Sequence, residues 1–139
     1  MPKLAPFVCL LCLVVLGCGR SNGPPTPDEA DNGILLDVGD MYRSFQAVKN
    51  RPPMNLNEFG SMKAVSGNAF EAVRKGEVVV RYGAAMTNLQ EEPGPPSSDE
   101  VLAYQKVVPE TGGKVLMLDR NIKTMTADEF KAAKKAGKN

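Results

Sequence analysis

The chain has 139 residues, with 17 basic against 16 acidic side chains, three cysteines and no histidine. Its near-neutral charge argues against a nucleic-acid binder, which carries a basic excess gathered on one face. With no histidine and every cysteine within the first eighteen residues, the usual nucleophile–base pairs and the His or Cys metal sites are out of reach for the rest of the chain.

Cys9 and Cys12 lie inside LAPFVCLLCLVVL, residues 4–16, behind the single charge of Lys3. This run is too short to span a bilayer, which takes ~20 residues, but it has the length of the apolar region of a secretory signal. There the two inner cysteines act as small apolar residues. Cys18 closes VLGC, residues 15–18, which resembles the lipobox of bacterial lipoproteins: an aliphatic, a variable and a small residue before an acylated cysteine. The resemblance implies that residues 1–17 are a lipoprotein signal peptide and that Cys18 is the lipid attachment site, bearing acyl chains such as palmitate. It also implies a membrane-anchored place in the cell envelope, outside the cytoplasm. Gly19 stands where an aspartate would mark inner-membrane retention, which points to the outer membrane. Several acyl chains on one residue anchor stably, at ~0.8 kcal/mol per buried methylene. Cleavage would remove only Lys3 among the charged residues, leaving a mature chain without net charge, without a free thiol and without disulfides.

Residues 19–33, GRSNGPPTPDEADNG, hold no large apolar residue, so nothing there offsets the entropy of ordering. With Cys18 they read as a tether, residues 18–33, in which Asp28, Glu29 and Asp31 are solvated. Residues 20–33 would reach ~20 Å as a coil and ~45 Å when extended. The domain then runs from residue 34 to 137. Ile34, Val38, Met41, Phe45 and Val48 recur at helical spacing, which predicts a first helix over 33–49, capped by Asp31 or Asn32 and ended by the prolines of NRPP. Short helical pieces follow at 54–62, with Asn55 as cap for Leu56 and Phe59, and at 68–76, with Asn68 as cap, Phe70 and Val73 inward, and Gly76 as a left-handed stop.

After Gly76 the pattern changes to EVVVRYG, a β-branched strand over 77–83. A polar, proline-rich loop over 88–100 leads to a second strand at 101–108. KVLML and NIKTM then predict a hairpin, with strands at 114–119 and 121–125. Thr126 and Glu129 stand in capping-box relation before ADEFKAAKKAG. That predicts a closing helix in which Phe130 and Ala133 dock on the sheet while Lys131, Lys134, Lys135 and Lys138 face water or the negative end of the dipole. The expected fold class is α+β: an N-terminal helix, short helices, a four-stranded and mainly antiparallel sheet, and a C-terminal helix.

PETGGKVLMLDRNIKTMTADEF, residues 109–130, resembles the closing module of bacterial prepilin-like proteins that carry a histidine, nine residues, then Asp-Gly. Gly112, Gly113, Val115, Leu116, Asp119, Ile122, Met125 and Glu129 fall on matching places. From AYQK onward the segment is also similar to a group of small bacterial lipoproteins with AYEK-P-GG-VLM-DG-VK-MT-EF runs. The resemblance implies a pilin-like head without a filament-forming stem. Pro109 stands in the histidine's place, so no role of that histidine transfers. Arg120 replaces the glycine after Asp119, and a left-handed residue there comes more easily from Asn121.

Few groups remain for chemistry. The serine of VSG, residues 65–67, has no base partner, and the GGK of residues 112–114 lacks the spacing of a phosphate loop. Glu91, Glu92, Asp99 and Glu100 flank the proline-rich loop, and Glu110 and Asp119 bracket the third strand; a hydrolytic pair would need two such groups facing one cleft at ~5 to 9 Å. Met41, Met117 and Met125 fall on core faces, where they fill gaps. The expectation is a lipid-anchored, non-catalytic envelope protein with no cofactor and no metal, whose partners are the membrane, through its lipid, and an envelope protein or polymer. The lysines of 131–138 could meet anionic polymers or head groups. The alternatives are a pseudopilin-like accessory of a secretion or filament system and a carboxylate-dependent hydrolase.

Overall fold

The computed structural model describes Pro24 and residues 26–139. Residues 1–17, expected to be a signal peptide, and the three cysteines lie outside the described residues, as do residues 19–23 and 25.

The first helix, α1 (Pro27–Lys49), begins six residues before the predicted start. Thr26 is its cap: its side chain accepts the Glu29 N–H at 3.3 Å, and the Glu29 carboxylate accepts the Thr26 N–H at 2.8 Å. Pro27 fits the first helical position, where no N–H is needed, and Asp28 and Glu29 sit at the positive end of the dipole. The reading of residues 27–33 as tether is therefore corrected: their polar composition suits exposed opening turns. Asp31 and Asn32 lie inside the helix, not at its cap. The buried arc is also rotated from the predicted stripe. It runs through Leu35, Val38, Met41, Tyr42 and Phe45, with Ile34 at its margin and Val48 outside it at 70% exposed. At ~100° per residue these positions share one side of the helix. Asn50, left-handed at φ 53°, closes the helix ahead of Pro52 and Pro53.

A 3-10 segment (Leu56–Met62) inserts Phe59 into the core, edge-on to Tyr42 and Phe45 at 6.1 and 6.2 Å between ring centroids. Asn55 precedes it without a capping bond. Helix α2 (Gly67–Arg74) starts after Ser66 rather than at Asn68, and Gly76 takes the expected positive φ.

Four strands follow, β1 (Val78–Val80), β2 (Glu100–Gln105), β3 (Gly113–Met117) and β4 (Ile122–Met125), antiparallel in the order β1-β2-β3-β4. The protein is thus α+β. The second strand ends three residues early, because Pro109 cannot donate to a ladder and instead opens a helical turn, α3 (Val108–Thr111). Helix α4 (Ala127–Ala132) carries the predicted Thr126–Glu129 capping box but stops before Lys134. Lys134–Lys135 form β5, parallel to β2, so the sheet gains a fifth strand and the predicted long closing helix is corrected. Pairing fixes this turn of the chain. Lys138 and Tyr82 exchange backbone bonds, and a Cβ on Gly137 would lie 1.9 Å from the Tyr82 oxygen, so only glycine fits. The Arg81 guanidinium holds the tail through the carbonyls of Ala136 and Gly137.

The sheet divides the interior. On one face α1, α2 and the 3-10 segment cover Val78, Val80, Leu102 and Leu116; on the other α3 and α4 cover Val101, Val115 and Met117, with Phe130 stacked on Tyr104 at 4.6 Å.

Candidate functional site

The apex of the β3–β4 hairpin is the most unusual place in the backbone. Met117 accepts the Arg120 N–H at 2.9 Å and donates to the Asn121 carbonyl at 2.8 Å, a tight turn that requires a left-handed residue before Asn121. Arg120 takes that role at φ 67°, where the sequence favoured Asn121. An L-residue there costs ~1–2 kcal/mol, and side-chain bonds offset it. The guanidinium, 3% exposed, reaches Asp40 of α1 at 2.8 Å and the carbonyls of Glu91 and Gln90 at 3.0 and 2.5 Å. Glycine would make the turn more cheaply but could hold nothing.

Asp119 works in the opposite sense. One carboxylate oxygen accepts the N–H groups of Ser97 and Ser98 at 2.7 and 2.8 Å, and the other accepts that of Asn121 at 3.0 Å. Burial pushes this carboxyl up, but the amides of Ser97, Asn121 and Ser98 outweigh it and hold it below its ordinary value. The pair therefore grips carbonyls at the start of the proline-rich loop and amides at its end. Asn121 donates to the Gly94 carbonyl at 3.3 Å in between.

Helix α1 continues the grip upstream. The Tyr42 hydroxyl donates to the Ala84 carbonyl at 2.7 Å, and burial pushes its pKa up to about 12. The Gln46 amide exchanges two 2.9 Å bonds with Met86, and Arg43 reaches the Leu89 carbonyl at 3.4 Å. Residues 84–98, which carry no regular structure, are thus ordered through side chains, which supply the partners their backbone groups need.

Two adjoining clefts share Leu36, Pro93 and Arg120. One, of about 450 Å³, adds the carboxylates of Asp40, Glu91 and Glu92. The other, of about 400 Å³, adds Asn32, Lys114, Asn121 and Ile122. A separate hollow of about 450 Å³ lies between α1 and the β1–β2 edge, lined by Ile34, Val78 and Val107 with Asp31, Glu77 and Lys106.

Of the carboxylates weighed for a hydrolytic pair, Glu91 and Glu92 line the first cleft. Asp99 pairs with Lys134 at 2.8 Å, and Asp119 is committed to the turn. Glu110 and Asp119 flank opposite ends of β3, ~15 Å apart along a strand of that length. Among the described residues no group of three or more His, Cys, Asp or Glu is placed to hold a metal, and no helix is long and apolar enough to cross a membrane. Ser66 makes no capping bond, and Gly112 closes α3 ahead of β3 where a Cβ would lie 2.6 Å from the Met125 oxygen. Met41, Met86 and Met117 are buried. The lysines do not form one outward face: Lys131 pairs with Asp128, and Lys135 turns inward over the Phe130 ring at 4.2 Å, where burial pulls its pKa down.

Sequence reasoning missed Asp40, Tyr42, Arg43 and Gln46. Their signal was polar side chains on and beside the buried arc of an amphipathic helix, which need partners when buried. Comparison of the chain with protein-family models, curated proteins and solved structures found no match.

Proposed function

We propose that this chain is a lipid-anchored, non-catalytic envelope protein whose small α+β head has a structural or interaction role. The observation that carries the reading is the VLGC run ending at Cys18, followed within eight residues by the capped start of α1 at Thr26. Residues 19–25 reach at most ~25 Å, so the head stays close to the bilayer rather than at the longer range the sequence allowed. The polar groups outside the core support an interaction role, since they organise a displayed loop: the Asp119 carboxylate and the Arg120 guanidinium are both committed to backbone. Metabolic labelling with palmitate, with fractionation of a Cys18→Ala variant, tests the anchor. Label in the parent alone and release of the variant are expected; a variant that stays in the membrane contradicts it.

One observation favours a second reading, an accessory of a secretion or filament system. Arg120 is left-handed at φ 67°, a conformation that glycine, the residue of the resembled Asp-Gly module at this place, adopts at no cost. Crosslinking in intact envelopes that recovers no secretion or filament component would count against it.

A further inference from the structure

Among the described residues the outer edges of β1 and β4 are unpaired, and that of β4 faces a built groove. Bonding between Met117 and Asn121 sets the alternation of the hairpin, so Val115/Lys123 and Gly113/Met125 exchange the ladder bonds. Ile122 and Thr124 then direct their N–H and C=O groups away from β3. No turn, loop or side-chain bond reaches these groups among the described residues. Beside them runs the double cleft, with Leu36 (42% exposed), Pro93 and Ile122 along its floor. Glu91 and Glu92, which form no ion pair among the described residues, line the first of the two clefts with Asp40, which is paired to Arg120, whereas Lys114 lines the second beside Ile122. Asn32 lines the same groove, and its side-chain oxygen is buried without a hydrogen-bond partner.

We propose that this groove takes an extended peptide segment of a partner protein, added to the sheet as a strand beside β4, with a basic side chain received by Glu91 and Glu92. Three features with different origins agree on it. The free edge offers main-chain bonds, the apolar floor takes every second side chain of an added strand, and the acidic end selects for a lysine or arginine. A second copy of this chain fits poorly, because the antiparallel register that joins the outward groups of Ile122 on one β4 to those of Thr124 on the other sets Lys123 against Lys123. The fixed loop adds to affinity, since Glu91 and Pro93 are already held and little order is lost on binding.

The test uses the full-length protein in detergent and a blocked, fluorescein-labelled octapeptide of alternating valine and threonine carrying one lysine. A second peptide has glutamate in its place. Anisotropy should show saturable binding at least about tenfold tighter for the lysine peptide. Glu91→Gln with Glu92→Gln should bring the two peptides within about threefold. Thr124→Pro removes one outward N–H while sparing the ladder bonds to β3, and it should abolish binding with the circular dichroism unchanged. Should that variant unfold, amide exchange decides: peptide must slow exchange at Ile122 and Thr124 in the parent. Equal binding of the two peptides, no binding of either, or unchanged exchange at those amides would overturn the proposal. So would concentration-dependent dimerisation that Thr124→Pro abolishes. None of these readouts depends on the state of Cys18.

Discussion

The core beneath α1 and the loop beside it, residues 84–98, are ordered by different means. In the core, Leu35, Val38, Tyr42 and Phe45 meet Phe59, Val80 and Leu116, and burial of apolar surface does the work. In the loop, side chains from α1 and the hairpin apex, chiefly Tyr42, Gln46, Arg120 and Asp119, bond to backbone groups that have no other partner. Apolar packing is shared by many contacts, so loss at one place is felt throughout. A polar grip is local, so its loss should free one segment and spare the rest.

Phe59→Ala breaks the first region most severely. A fully buried ring against Tyr42, Phe45 and Tyr82 is lost, which should cost ~3–5 kcal/mol and lower the melting temperature of the whole domain in one transition. Arg120→Ala should cost ~1.5–3 kcal/mol, the range for bonds made by a charged group. Its mark should be faster amide exchange confined to Gln90–Ser98, because Asp40, 54% exposed, stays solvated when its partner goes. Arg120→Gly sharpens the comparison. It loses the same grip but removes the left-handed strain, so it should be more stable than Arg120→Ala by ~1 kcal/mol.

Asp119→Asn tests the other end of the grip and adds pH. The carboxyl is held below its ordinary value in the folded protein. Its contribution is therefore fully present above ~pH 4, the unfolded value, and is lost as pH falls through the lower folded one. Denaturant unfolding should show a deficit of ~1–3 kcal/mol at neutral pH that closes in acid. Lys131→Ala, which removes a lysine exposed beside Asp128, should change stability by less than ~0.5 kcal/mol.

How much the sequence foretold follows the range of the interactions. The β3–β4 hairpin, the Thr126–Glu129 box and the Gly76 stop rest on neighbours within a few residues, and each appears where expected. The start of α1 was equally local, in Thr26 and Glu29, but the polar composition of the segment masked it. The left-handed Arg120 was out of reach because the groups that offset it, Asp40 and the carbonyls of Gln90 and Glu91, stand some 30 to 80 residues away. The same holds for β5, whose lysines suit a helix until Val101 and Tyr82 offer them a sheet edge. The grip on the loop was invisible for a further reason: it joins side chains to backbone, and no pattern of side chains alone records it.

Intact-mass analysis of the protein purified from native membranes tests the anchor most directly. A chain that begins at Cys18 and carries the added mass of acyl chains there is the expected result. A chain that keeps residues 1–17, or whose Cys18 reacts as a free thiol, would contradict it.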